Sequence, residues 1–232
     1  MTNQPVIFCA IDTSDLGRAV ELAQSIGPVT KGLKLGLEFF NAFGPHGLLK
    51  VQQACPAAVL FVDLKYHDIP NTVAGAVRSI CKVIKPAYLN VHASGGLEMM
   101  RAAKEACAPE TKLLGVTVLT SMGEDDLKQI GIKEPPGHQV VRLAKLAQQA
   151  DLDGIVCSAK ELDILRSEIS PGFLYMVPGI RPAGADQGDQ KRIMTPREAL
   201  DAGASHLVIG RPITKAEDPA AAAQAILDDI AG

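Results

Sequence analysis

FVDLKYHDIPNTV, residues 61–73, carries an apolar run straight into a cluster of charges. Phe61, Val62 and Leu64, with the apolar residues before them, read as a buried β-strand. Asp63, Lys65, His67 and Asp68 crowd its end. Charge buried at a strand end costs free energy unless pairing or a ligand compensates it. The chain then passes through Ile-Pro-Asn-Thr into helical periodicity from Thr72. The unit is therefore strand, charged turn, helix.

That unit repeats along the 232 residues. Strand candidates are VIFCAI (6–11), GLKLG (32–36), AVLFVDLK (58–65), AYLNVH (87–92), LLGVTVL (113–119), GIVCS (154–158), LYMVPG (174–179) and LVIG (207–210). Helical patterns alternate with them: DLGRAVELAQSI, TVAGAVRSICKVI, GLEMMRAAKEA, HQVVRLAKLAQQA and the closing PAAAAQAILDDI. With no hairpin signal, the strands are expected to be parallel. Eight such units at this length predict a (β/α)₈ TIM barrel of the α/β class, with residues 1–232 as a single catalytic domain. The rival open sheet usually carries GxGxxG after its first strand, whereas strand one here runs into IDTSD.

Composition narrows the function classes. A formal net charge of −3, an aromatic share of 4% and no Trp argue against nucleic acid, which selects a basic face and stacking rings. No run approaches the ~18 apolar residues of a membrane span, and MTNQPVIFCAID lacks a signal-peptide pattern. The five Cys are scattered, odd in number and never in CxxC, which fits reduced thiols and a cytoplasmic location.

Barrels do their chemistry at the C-terminal ends of strands. Those ends here carry Asp12, Lys34, Asp63 with Lys65, His92, Thr120 with Ser121, Gly179 with Arg181, and Gly210 with Arg211. Side chains alternate along a strand, so Asp63 and Lys65 are expected on one side, at the mouth, within reach of Lys34. Asp68 lies just beyond. Lys and Asp together are nearly neutral and can persist partly buried. A salt-bridge network that merely holds loops is the plain structural reading of these residues. A metal site is disfavoured, because the Lys65 ammonium would sit among the ligands and the five His form no ligand-spaced cluster. His92 reads as a packed, hydrogen-bonded residue.

VPGIRPAGADQGDQKRIMTP (177–196) is a long connection of the length that usually forms a lid or binding loop. IGRP (209–212) follows strand eight, where barrels often hold phosphate. Gly210 lets a ligand approach the backbone, Arg211 supplies a fork of donors, and Gln190 could reach over from the loop.

Taken together these stretches resemble the orotidine 5′-monophosphate decarboxylase family, in its bacterial form. DLKYHDIPNT (63–72) matches that family's strand-three signature in full. AIDT, GLKLGLEFF, NVHASGG, VTVLTSM, DGIVCSAKE, PGIRP…GDQKRIMTP and VIGRPIT extend the similarity over nearly the whole chain. The resemblance implies loss of CO₂ from orotidine 5′-monophosphate, the last step of de novo pyrimidine nucleotide biosynthesis. It implies Lys65 as proton donor, with Asp63 and Lys34 completing the array. Asp68 and Thr72 would cross to the partner's site in a homodimer. Asp12 would bind the ribose and Thr120 would lie near the base. Arg181, Gln190, Gly210 and Arg211 would hold chiefly the phosphate end. The resemblance implies neither a metal nor an organic cofactor. Two alternatives share the barrel: a metal-assisted keto-sugar-phosphate decarboxylase with the same Asp-x-Lys-x-x-Asp spacing, and a non-catalytic phosphate-binding barrel.

Overall fold

The computed structural model describes residues 6–182 and 194–232. Its elements, in chain order, are β1 (Ile7–Ile11), α1 (Leu16–Thr30), β2 (Gly32–Gly36), α2 (Leu37–Ala54), β3 (Val59–Tyr66), α3 (Pro70–Val83), β4 (Tyr88–His92), α4 (Leu97–Ala106) and β5 (Lys112–Val116). They continue with α5 (Glu124–Gln129), α6 (Pro136–Gln149), β6 (Gly154–Val156), α7 (Leu162–Glu168), β7 (Leu174–Val177), α8 (Pro196–Asp201), β8 (His206–Ile209), α9 (Arg211–Thr214) and α10 (Pro219–Ala231).

The strands close into one barrel in the order β1 to β8, each parallel to its neighbours, and β8 returns to β1 through pairs such as Phe8 with Val208. The expected (β/α)₈ barrel is the observed one. Alternation along each strand divides the core in two. Leu33, Leu35, Leu60, Val62, Leu89 and Val91 face outward and pack under the helices. Phe8, Ala10, Phe61, Tyr88, Leu114, Met176 and Val208 fill the interior. There Phe8 meets Phe61, Tyr88 and His206 edge-on, with ring centroids 6.1, 5.2 and 5.6 Å apart. The buried Tyr88 hydroxyl and His206 Nε2 satisfy each other at 3.0 Å.

The helices follow their local signals. Asp15 caps α1 by accepting from the Arg18 N–H at 3.0 Å. Pro70 stands at the start of α3, where its missing donor costs nothing, so that helix begins before the Thr72 of the sequence pattern. Val73, Ala74, Val77, Ile80 and Cys81 give α3 its buried face. Helix α2 escapes the sequence pattern because Gly44 (φ 58°) and Pro45 interrupt its period. Strand β5 ends at Val116, short of the expected 113–119, because Thr117 turns both its N–H and its hydroxyl onto the Val156 carbonyl.

Gly154 shows how tightly the wall is built. A Cβ there would lie 2.3 Å from the Leu174 carbonyl oxygen, which is backbone and cannot swing aside. Gly154→Ala should therefore destabilise the barrel by about 1–3 kcal/mol, read as a lower urea midpoint at unchanged m-value.

Candidate active site

Strand β3 does not run regularly to its end. Val62 pairs with Leu89 and Tyr66 with Val91, so four steps on β3 oppose two on β4. The slack is taken up at Lys65, whose φ is 49°. A left-handed lysine costs roughly 1–3 kcal/mol and persists only where its surroundings impose it. Asp63 and Lys65 share the mouth, as alternation predicts: Phe61, Asp63 and Lys65 line the interior while Val62, Leu64 and Tyr66 pack outward, and the bulge does not disturb that order. Among the described residues, Lys65 Nζ donates to Asp63 Oδ1 at 2.6 Å.

From Asp63 a line of alternating charge crosses three strands. Asp63 Oδ2 lies 3.4 Å from Lys34 Nζ, and Lys34 donates to Asp12 Oδ1 at 3.1 Å. Side-chain exposure rises from 10% at Lys34 and 13% at Asp63 to 29% at Lys65 and 51% at Asp12. The two inner groups thus sit in the least screened position. Opposite charges at ~4 Å attract by about 4 kcal/mol at an effective dielectric of ~20, before desolvation. Burial works against the Asp63 carboxylate, yet Lys34, Lys65 and a hydrogen bond from Asn90 hold its pKa below the ordinary value of 3.8. Burial likewise opposes the Lys34 ammonium, and Asp63 and Asp12 outweigh it, holding that pKa above 10.5. Gly36 leaves room for this line: a Cβ there would come within 3.0 Å of Lys34 Nζ and 3.3 Å of Asp12 Oδ1.

Two cavities open from the array. One, of 240 Å³, is lined by Phe61, Val116, Val118, Val156, Cys157 and Val208 together with Asp63, Lys65 and Thr120. The other, of 400 Å³, gathers Asp12, Lys34, Gly179, Arg181, Gly210, Arg211 and Lys215. Asp63, Pro178 and Val208 line both, so the two are continuous. A slot with apolar walls beside a cationic bowl suits a flat ring joined to an anion.

The structure therefore brings together Asp12, Lys34, Asp63, Lys65, Thr120, Arg181, Gly210 and Arg211. Gln190 lies outside the described residues, as does most of the loop that carries it. Asp68 and Thr72 are exposed, and no ion pair joins Asp68 to Lys65 within one chain among the described residues. His92 is packed, as expected: it stacks on His67 at 5.4 Å, its Nδ1 bonds Ser94 Oγ at 2.9 Å, and burial, His67 and Lys65 push its pKa down. No group of three or more His, Cys, Asp or Glu among the described residues is arranged to hold a metal ion. Sequence reasoning missed Asn90, Gly36 and Lys215. Asn90, a polar residue inside the apolar strand AYLNVH, was the one with a legible signal.

Residues 5–226 match the model of the family described as "Orotidine 5'-phosphate decarboxylase / HUMPS family". A relative from Novosphingobium aromaticivorans, named orotidine 5'-phosphate decarboxylase, is 52% identical over 95% of this chain and 96% of its own. One of the same name from Shewanella sediminis is 50% identical over 97% of each. The crystal structure of orotidine 5'-phosphate decarboxylase from Lactobacillus acidophilus superposes with a TM-score of 0.86 at 36% identity, covering 99% of this chain and 100% of that one.

The array sets a pH window for stability. Asp63, with a lowered pKa, contributes fully above its ordinary value of 3.8 and loses that contribution as pH falls through the folded value. Lys34, with a raised pKa, contributes fully below 10.5 and loses it as pH rises through the folded value. Asp63→Ala should cost about 3 kcal/mol in between, by leaving Lys34 short of its inner partner. Urea titrations should find that difference level between about pH 5 and 9 and shrinking toward pH 3. A difference that grew on acidification would contradict the assignment.

Proposed function

The chain belongs to the orotidine 5′-phosphate decarboxylase / HUMPS family, and we propose that it acts through the strand-three array with no metal or organic cofactor. It decarboxylates orotidine 5′-phosphate to uridine 5′-phosphate, releasing CO₂, in pyrimidine nucleotide biosynthesis. The observation that carries the mechanism is the Asp12–Lys34–Asp63–Lys65 line, which ends in the lining of an apolar slot.

The substrate carries a carboxylate on C6 of its pyrimidine. When CO₂ leaves, the electron pair stays on C6 in the ring plane, where the ring π-system gives little delocalisation. Stabilisation must come from outside the ring. In this reading the Lys65 ammonium, aimed by its 2.6 Å bond to Asp63, attracts that developing charge and then delivers its proton to C6. Water later restores the proton to Lys65. The apolar walls keep the local dielectric low, so a fixed ammonium acts more strongly than it would in water. Repulsion between Asp63 and the substrate carboxylate would raise the ground state, a smaller contribution here.

Asp12 is assigned to the ribose, Lys34 with Asp63 to the charged array beside the pyrimidine and ribose, Thr120 to the base, and Arg181, Gly210, Arg211 and Gln190 to the phosphate end. Lys215, on the same bowl, joins that last group. Binding energy from the phosphate can hold the ring over Lys65. The whole chain is taken as one catalytic domain, which is supported by a single barrel closed from Ile7 to Ile209. Among the described residues no helix is long and apolar enough to cross a membrane. We assign the protein to the cytoplasm, on the biosynthetic role of its relatives and the free state of all five Cys.

We assign the active form to a homodimer in which Asp68 and Thr72 complete the partner's site. Supporting this, Asp68, Ile69, Pro70, Asn71 and Thr72 form an exposed run beside the mouth, with Ile69 67% exposed. The relatives' names and near-complete coverage weigh against the keto-sugar-phosphate alternative.

Lys65→Ala should still bind uridine 5′-phosphate while its turnover falls by at least about 10⁴-fold; wild type should turn over equally with and without EDTA, followed by ultraviolet absorbance of orotidine 5′-phosphate. Turnover that vanished in EDTA and returned with magnesium would favour the metal-assisted reading. Uridine 5′-phosphate binding with no wild-type turnover would favour the non-catalytic barrel. Asp68→Ala should also be nearly inactive alone. Mixing unfolded-and-refolded Lys65→Ala with Asp68→Ala should restore activity, because one site of each hybrid dimer then has both residues intact. Failure of the mixture to exceed its components would refute sharing of the site.

A further inference from the structure

Asn90 sits in the middle of β4, between Leu89 and Val91, which face the helices. Its own side chain therefore faces the barrel interior, one step above Tyr88. It is 0% exposed. A buried primary amide persists only where its donor and acceptor are both used.

Both are used on the array. Lys65 N–H donates to Asn90 Oδ1 at 2.8 Å, and Asn90 Nδ2 donates to Asp63 Oδ1 at 2.7 Å. The assignment of amide oxygen and nitrogen is chemically forced, because a backbone N–H can only donate and a carboxylate can only accept. Asn90 lies opposite the β3 bulge, between the pairs Val62–Leu89 and Tyr66–Val91. It thus takes the N–H that the bulge removes from the strand ladder. The same Asp63 oxygen that receives Asn90 also receives Lys65 Nζ at 2.6 Å. Rotating that carboxylate would break both bonds, and releasing the Lys65 N–H would free its left-handed backbone.

We infer that Asn90 is a positioning residue for the decarboxylation, one amide that fixes the Asp63 carboxylate and the Lys65 backbone together and so aims the Lys65 ammonium. This rests on the reading of Lys65 as the proton donor. Asn90 itself lines neither cavity. A side chain that only filled space would be apolar like its neighbours, and one that only capped the Lys65 N–H would need no donor. The amide is the group that accepts from one and donates to the other within the same small volume.

The test compares wild type, Asn90→Leu and Asn90→Asp for turnover of orotidine 5′-phosphate and for binding of uridine 5′-phosphate, with folding checked by circular dichroism. Asn90→Leu should lower kcat by about 10- to 100-fold, with KM and product binding within about threefold, because the cationic bowl is untouched. Asn90→Asp is nearly isosteric and separates aim from packing. As a neutral acid it can accept from Lys65 N–H and donate to Asp63; once ionised it can only accept, and it repels Asp63. Its kcat should approach wild type near about pH 5.5 and fall away toward about pH 8, while the Asn90→Leu deficit stays level with pH. If Asn90→Leu does not fold, the Asn90→Asp profile decides alone. Wild-type activity with both variants within twofold of it at every pH would overturn the inference and leave the function standing. Loss of product binding in step with kcat would reduce Asn90 to a structural residue. Absence of wild-type turnover would overturn both readings.

Discussion

The site hangs on one carboxylate, Asp63, partly buried between two ammonium groups. Carboxylate and ammonium each lose hydration there, and attraction between them returns it only when geometry is good and remaining lone pairs are satisfied. Much of the surrounding sequence serves that requirement. Asn90 occupies one Asp63 oxygen with Lys65, and Lys34 faces the other. Gly36 keeps Cβ bulk away from the Lys34–Asp12 end of the line. A barrel could close over apolar side chains at these places with equal or greater stability. Their polarity is a local breach of the rules that built the rest of the core, and such breaches concentrate where function is.

The apolar interior below the array is part of its electrostatics. Phe8, Phe61, Tyr88, Leu114 and Met176 close the barrel beneath Asp63 and Lys65. These buried side chains place low-dielectric matter on that side of the array. The mouth is itself divided. The slot is walled by valines and Phe61, while Lys34, Arg181, Arg211 and Lys215 line the adjoining bowl. Under the proposed mechanism, phosphate binding in the bowl would supply free energy that is used where the reacting carbon faces the Lys65 ammonium. The buried Cys9 thiol, on the helix-facing side of β1, is pushed up to about 12 by burial and then by Asp12, and adds no negative charge to this balance.

The barrel was legible because its repeating unit is local: apolar strand, charged end, helix. The array was legible because Asp63 and Lys65 break an apolar run, and the strand ends of a barrel converge. Two kinds of feature were hidden. Helix α2 carries Gly44, Pro45 and Gly47, which erase the periodicity by which a helix is recognised. The β3 bulge depends on where Asn90 lies on the next strand, and no residue within β3 announces it. Asn90 was visible as a misplaced polar residue, yet its partners are 25 and 27 positions away in the chain, a distance that only closure of the barrel resolves.

The backbone at Lys65 shows the same division between stability and function. Four non-glycine residues have positive φ among the described residues: Lys31, Lys65, Lys85 and Asp151. Lys31, Lys85 and Asp151 follow the last turns of α1, α3 and α6, where the chain reverses into the next strand. Left-handed residues there end helices and are found throughout proteins. Lys65 instead stands at the catalytic end of a strand, where nothing about chain reversal asks for it. Glycine would adopt that conformation at no steric cost, but it would remove the ammonium. The position therefore has to combine a strained backbone with a long charged side chain. The Lys65 N–H bonded to Asn90 and the Lys65 Nζ bonded to Asp63 hold that combination from both ends. The pleat already sends Lys65 inward beside Asp63; what the bulge adds is a Lys65 N–H turned out of the strand ladder and onto Asn90.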